Sequence, residues 1–453
     1  MRTKLSHTMY FDFSKPSSVK VAEEYRAKYE AVSQLLDANP QILDLAHQDW
    51  EHTLSTSDEG RDGYTSEQIL RALIVMFLER DSYRGVVIRI DTSEFLQNFV
   101  RLGIKPTMDF TFLSRAFCFL SEKTVETMNK VLSGYAVEEE KITGEKLRMD
   151  TTAYETNIHY PTDSSLLWDS FRTLSHLQRQ IHNDFPELKL RHRYHDKKVK
   201  KLATYIARNA SSTSKKTQKK VKNNYRKLIE SVRWIYGIGC LIQGKMQELG
   251  YESEILAHYL PLVDRIINQA YKRVFENITL PADEKLYSLF EEHTELIKRG
   301  KAGKPVEFGH KILIAQTGEK FIHHYLVMPK KIEDKDLLHP ALEAHEQLFE
   351  QYPDVLAADK GFYESMGKIK ELEKDIATVS IAKKGNRNAE EYERETSDEF
   401  LSGQRFRAGS EGSISVLKRA FKLGKCYFKG FKNYAASVGL AVLCHNLVLL
   451  TKL

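Results

Sequence analysis

Near the C-terminal end of the sequence, Arg407, Glu411 and Lys418 recur at helical spacing within Arg-Ala-Gly-Ser-Glu-Gly-Ser-Ile-Ser-Val-Leu-Lys. At about 100° per residue all three fall within roughly 40° on one helix face. Ile414 lies close to the same line, with Leu417 and Phe421 beside it. A carboxylate between two cations at the border of an apolar stripe suits a metal ion and a phosphate. A ladder of solvated ion pairs would need no apolar neighbours. A metal site needs further carboxylates, and the sequence offers two. Asp150 stands in Lys146-Leu-Arg-Met-Asp-Thr-Thr-Ala-Tyr, an alternating segment rich in β-formers. Asp359 closes the short apolar run Asp354-Val-Leu-Ala-Ala-Asp. Each of these acids abuts an apolar strand, where a charge is unfavourable unless paired or metal-bound.

Three converging carboxylates repel one another, and divalent cations relieve that repulsion. Oxygen-only ligands favour Mg2+ or Mn2+. Two such ions about 4 Å apart suit in-line displacement at a phosphodiester. Asp150, Asp359 and Glu411 are therefore the candidate metal ligands and catalytic residues. Arg407, as a fork, and Lys418, as a point charge, are candidates for holding substrate phosphates. Gly-rich phosphate loops and Ser/His/Asp nucleophile motifs are absent. His323-His324 would point to opposite faces of a strand, a poor metal pair, and His445 reads as a core or surface histidine.

The elements that must position these acids can be read from periodicity. Thr65 with Gln68 forms a capping-box pattern before the apolar run Ile69 to Leu78. Thr92 or Ser93 can start one further helix and Asp109 another, separated by Gly103 and Pro106, so residues 64–140 read as a helical domain that fits a helix-turn-helix and equally any small helical bundle. The 1–63 segment is mixed and polar, with a turn-rich acidic boundary at Asp58–Gly63. Residues 164–300 read as helical almost throughout, with stripes such as Leu167-Phe171-Leu174 and Leu228-Val232-Ile235, and with a helix starting at Pro281. Residues 301–385 return to β, with a hairpin around Thr317-Gly-Glu-Lys, a helix, the strand before Asp359 and a strand over Ile376–Ala382. The expected fold is α/β: a mixed five-stranded sheet with flanking helices, built from 141–163 and 301–453 and interrupted by the helical insertion 164–300.

Charge is unevenly spread. The 453-residue chain has a net charge of +6. Between Lys189 and Arg233 sixteen lysines and arginines face only Asp196 and Glu230, so the remainder of the chain must be acidic. Such a segment points to a polyanion. Lys197, Lys198, Lys200, Lys201, Lys215, Lys216, Lys219 and Lys220 are expected to contact nucleic-acid phosphates. No window has the roughly 18 uncharged apolar residues of a membrane span, so no membrane partner is expected; Tyr434–Leu450 reads as a buried helix. Cys118, Cys240, Cys426 and Cys444 lie far apart, which argues for a reducing, cytoplasmic setting and against a zinc site.

Taken together these motifs resemble the DDE transposases of bacterial insertion sequences, over about residues 64–450. The Arg-x3-Glu-x6-Lys part of that family's Tyr-x2-Arg-x3-Glu-x6-Lys signature is matched by Arg407, Glu411 and Lys418. Ala-Asp-Lys-Gly-Phe-Tyr around Asp359 and Arg148-Met-Asp-Thr-Thr around Asp150 are similar to its acid motifs. Asn157-Ile-His-Tyr-Pro-Thr-Asp-Ser is similar to the ISNCY-type branch. The resemblance implies a ribonuclease H-like catalytic domain that binds transposon ends and cuts and joins double-stranded DNA with two Mg2+ (or Mn2+) ions. It also implies a homodimer on DNA, in the bacterial cytoplasm and at the nucleoid. A non-catalytic DNA-binding descendant and a structure-specific nuclease on the same fold are the alternatives. The chain departs from the pattern at Gln404, where the signature has tyrosine, and in its insertion, which separates the first two acids by 209 residues and leaves Asp359 and Glu411 only 52 apart. Trp168 and Trp234, inside the insertion, read as buried core.

Overall fold

Alternation shapes the first strand. Along Lys146–Thr156 (β1), Leu147 and Met149 enter one apolar core and Tyr154 another, as the two-residue period of a strand requires. The structure is a computed structural model that describes residues 3–5, 19–54, 63–188, 192–301 and 304–453. Most of the acidic boundary at Asp58–Gly63, and Lys189–Arg191 of the basic segment, lie outside the described residues. The chain divides into two compact units, Met1–Glu155 with His310–Leu453, and Thr156–Gly309.

The first unit opens with helices Lys20–Ala38 (α1), Pro40–Glu51 (α2), Ser66–Leu78 (α3), Tyr83–Asp91 (α4), Glu94–Val100 (α5), Phe110–Phe119 (α6) and Glu122–Glu138 (α7), followed by β1. The second unit contains Asp163–Asp184 (α8), Asp196–Asn209 (α9), Lys215–Glu248 (α10), Glu254–Tyr271 (α11) and strand Glu295–Lys301 (β2). Strand Lys304–Gln316 (β3) begins there and leads back. The remaining elements are Ile322–Val327 (β4), Leu338–Phe349 (α12), Val355–Ala358 (β5), Met366–Leu372 (α13), Thr378–Ile381 (β6), Ala389–Thr396 (α14), Asp398–Ala420 (α15), Lys425–Cys426 (β7) and Phe431–Leu450 (α16).

The sheet is mixed and has seven strands among the described residues, in the order β2-β3-β1-β5-β6, with β4 on β3 and β7 on β1. Five were expected. The two additional strands carry no alternating apolar signal: β2 is Glu-Leu-Ile-Lys-Arg-Gly-Lys, held by backbone pairing to the start of β3, and β7 has two residues. The hairpin β3–β4 is antiparallel, and β1, β5 and β6 run parallel. Pro281 does not start a helix. Residues 277–294 are non-helical, and Leu286 is held instead by Gln269, whose side chain takes a hydrogen bond from the Leu286 N–H and gives one to its carbonyl, both at 3.1 Å.

One face of the sheet packs on α12 and α13 through Leu147, Met149, Leu313, Leu356 and Ile369. The other face carries α15 over β5 and β6, and α16 and α7 over β4. Each buried Leu, Ile or Phe contributes roughly 1.5–3 kcal/mol. Thr65 does cap α3 with a reciprocal Gln68 pair, and Ser66 to Phe77 are buried on every side, so α3 is a core element. The α5–α6 connection spans residues 101–109, longer than the three or four residues of a helix-turn-helix. Among the described residues α16 is the one helix long and apolar enough to cross a membrane, and 83% of its apolar window is buried inside the protein. Its Asn446 exchanges two hydrogen bonds with the backbone of Ile322, and Tyr434 donates to the Tyr154 carbonyl at 2.5 Å. These are the bonds of a core helix.

Candidate active site

The parallel register aligns Met149 with Ala358. The next residue on each strand is an acid, so Asp150 and Asp359 emerge side by side, on strands about 4.8 Å apart. Both lie on the face away from Met149 and Ala358, where α15 sits. Arg407 and Glu411, one turn apart on α15, complete the group. The Arg407 Nη2 lies 3.6 Å from Asp150 Oδ2, 3.8 Å from Asp359 Oδ1 and 3.7 Å from Glu411 Oε1. Three carboxylates 52 and 209 residues apart in sequence thus converge on one guanidinium nitrogen.

The three acids differ in exposure. Their side chains are 15%, 45% and 73% exposed for Asp150, Asp359 and Glu411, so the cluster is closed at the sheet and open at the helix. Burial pushes the Asp150 carboxyl above the usual range, and the neighbouring Asp359 adds to this. Ser410, Arg407 and the Thr151 N–H act against that shift. Ser410 Oγ donates to Asp150 Oδ2 at 2.9 Å, and the Thr151 N–H to Oδ1 at 2.8 Å. Both Asp150 oxygens are therefore oriented.

Two glycines allow α15 to approach this closely. A Cβ at Gly403 would stand 2.4 Å from Ser380 Cβ on β6, and one at Gly409 would stand 2.3 Å from Arg148 Nη1. Arg148 is 3% exposed. It anchors the helix to β1, donating to the Gln316 side chain (3.1 Å), the Phe406 carbonyl (3.2 Å) and Ser413 Oγ (3.2 Å) while lying over the Phe406 ring. Gln404, at the position where the signature has tyrosine, donates from Nε2 to the Ser380 carbonyl at 2.7 Å. In this chain that side chain ties α15 to the edge strand. Ser410, Arg148, Gly403 and Gly409 were not singled out from the sequence. The available signal was glycine inside a helical pattern, which is unfavourable by roughly 0.5–1 kcal/mol relative to alanine unless close packing requires it.

Gly403→Val is expected to lower stability by about 1–3 kcal/mol, the usual range for forced overpacking, and to reduce activity further by lifting Arg407 and Glu411 off the sheet. Urea unfolding and an activity assay at a temperature where the variant is folded would check this. Equal stability would show that α15 does not rest on β6 as described.

The other expected contacts are distributed elsewhere. Lys418 lies in the last turn of α15, where a cation also suits the helix dipole. In the second unit Lys197, Lys198, Lys200 and Lys201 lie on α9, and Lys215, Lys216, Lys219 and Lys220 on α10. All eight are exposed. Trp168 packs partly buried on Phe171, but Trp234 is 45% exposed beside His192 and Tyr194, contrary to the buried role expected of it. It lies on the outward side of α10, one residue before the buried Ile235. His323 and His345 are buried against each other, and burial lowers the basicity of both. His445 is a core histidine against Phe421.

A mixed α/β domain with three acids gathered at adjoining strands and an overlying helix defines a carboxylate-cluster site. Residues 283–447 match the family model described as a transposase DDE domain, and this match supports a DDE transposase. The matched span includes Asp359, Arg407, Glu411 and Lys418. Asp150 precedes it, and reaches the site through the pairing of β1 with β5. Comparison with curated proteins and with solved structures found no match.

The family supports a transposase, a class of metal-dependent nucleases and transferases. Among the described residues no group of three or more His, Cys, Asp or Glu side chains is gathered closely enough to hold a metal ion, and Arg407 stands between the three acids. The donor set nevertheless fits such an ion chemically. It is made of carboxylate oxygens alone, preferred by Mg2+ and Mn2+, and Arg407 Nε is buried without a hydrogen-bond partner, so the guanidinium is held mainly by charge.

Proposed function

We propose that this protein binds the terminal inverted repeats of a mobile DNA element, cuts at the ends and joins the freed 3′-OH to target DNA. The observation that carries this reading is the convergence of Asp150, Asp359 and Glu411 on one point, in a chain whose residues 283–447 match a transposase DDE domain. In this reading Asp150, Asp359 and Glu411 would hold two Mg2+ or Mn2+ ions, which would supply activation of the attacking oxygen and stabilisation of the leaving one. Ser410 and the Thr151 N–H keep Asp150 aimed at that position. Lys418 and Arg407 hold phosphates. The lysines of α9 and α10 track the DNA backbone, and the helices of 64–140, with Arg84 and Arg115 exposed, contribute to end recognition. A ribonuclease H-like catalytic domain formed by 141–163 and 301–453, with 164–300 inserted, follows from the same reading. So do a homodimer that holds two ends on DNA, and a place in the cytoplasm at the nucleoid. The motif Asn157-Ile-His-Tyr-Pro-Thr-Asp-Ser supports the ISNCY-like branch.

The test is to incubate full-length protein with DNA bearing the element's ends, with Mg2+ or Mn2+, and to follow cut and joined products. Cleavage at the ends and transfer of the 3′-OH are expected. Binding of the ends without any cutting in either ion would defeat the enzyme reading. Cutting without joining would favour a structure-specific nuclease.

A further inference from the structure

Arg407 is in an unusual position for a residue that serves only a substrate phosphate. Its Nη2 is nearly equidistant from three carboxylates, at 3.6, 3.8 and 3.7 Å. None of these is a normal charged hydrogen bond, which lies near 2.7–2.9 Å. Its Nε is buried and unpartnered. A side chain optimised for hydrogen bonding would give up some of these contacts to shorten one. This one sits where the negative potential of the three acids is shared, which is also where a divalent cation would be most stabilised. One positive charge cannot neutralise three negative ones.

We propose that Arg407 is a resident counter-cation that holds the three acids together until a divalent ion displaces it. The released guanidinium then becomes available to a DNA phosphate. This rests on the metal-ligand reading of Asp150, Asp359 and Glu411. One side chain then couples two events: metal entry expels Arg407 from the acids, and the expelled fork is free for the substrate backbone. Glu411, 73% exposed and one turn from Arg407, lies at the open side through which the exchange takes place.

The experiment measures Mn2+ binding to full-length, DNA-free protein by electron paramagnetic resonance of free Mn2+, for wild type, Arg407→Gln, Arg407→Lys and Asp359→Asn. Arg407→Gln is expected to bind Mn2+ at least about tenfold more tightly than wild type, because a like charge within a few ångströms is removed. Arg407→Lys should fall between the two. In EDTA, Arg407→Gln should melt below wild type, since its acids have lost their cation, and saturating Mn2+ should remove the difference. The salt dependence of DNA binding should lose about one unit of slope in Arg407→Gln when Mn2+ is present and none in EDTA. Unchanged or weaker Mn2+ binding by Arg407→Gln, with Asp359→Asn impaired, overturns the counter-cation role alone. If Asp359→Asn binds Mn2+ as well as wild type, or no form binds it, the metal-ligand reading fails and the proposal with it.

Discussion

Asp359→Ala is expected to bind DNA ends as wild type does and to cut and join them on the order of 10³-fold more slowly, as when a principal electrostatic group is removed from a transition state. Of the two acids carried by strands, Asp359 is the one whose loss should do less to folding. Its side chain is 45% exposed, and its ion pair is with Arg407 at 3.8 Å. Burial raises the Asp150 proton affinity, and removing Asp359 takes away the repulsion that adds to it. A loss of activity would therefore report on the reaction and not on an unfolded protein. End-labelled DNA resolved on a denaturing gel, with binding measured in parallel by fluorescence anisotropy, separates the two effects. Cleavage at the wild-type rate would remove Asp359 from the metal site.

The second large effect concerns salt. The eight lysines on α9 and α10 are exposed, and none has a carboxylate within ion-pair distance among the described residues. Asp196, at the start of α9, is engaged with Arg179. Lys220 lies over the Tyr205 ring, 4.8 Å from its centroid, which shows a stem supported by an aromatic surface. α10 has 34 residues, about 50 Å at 1.5 Å per residue, and its apolar side is buried through Leu228, Val232 and Ile235. The lysine-bearing half is left solvated. If these lysines neutralise phosphates, DNA affinity should fall about 10³–10⁵-fold between 50 and 200 mM salt. Replacing Lys215, Lys216, Lys219 and Lys220 by alanine should then lower the slope of log K against log salt by about 3–4 units. Fluorescence anisotropy over a salt series measures this. An unchanged slope would show that α10 does not meet the backbone.

Much of the fold was legible because local rules and packing agree. The Thr65–Gln68 box, the strand at 146–156, the hairpin of β3 and β4 and the buried closing helix all follow from capping, alternation and apolar periodicity. Where the sequence misled, long-range bonds had replaced local ones. Gln269, on α11, holds Leu286, which lies outside any helix, so the apolar spacing after Pro281 imitated a helix that does not form. β2 is a strand because β3 offers its edge, and its own residues carry no period. Trp234 is large and apolar, yet helix phase turns it outward.

The sequence alone determined which chemistry is available: three acids on elements of the right type, with Arg407 and Glu411 four residues apart. Side-chain type and helical period are local properties, readable in order along the chain. Only the tertiary structure decided that the acids meet. Strand register sets Asp150 beside Asp359, and helix-on-sheet packing through Gly403 and Gly409 sets the height of Glu411 above them. It also decided that Arg407 points into the acids, since that depends on the charge of residues up to 257 positions away, which no local spacing contains.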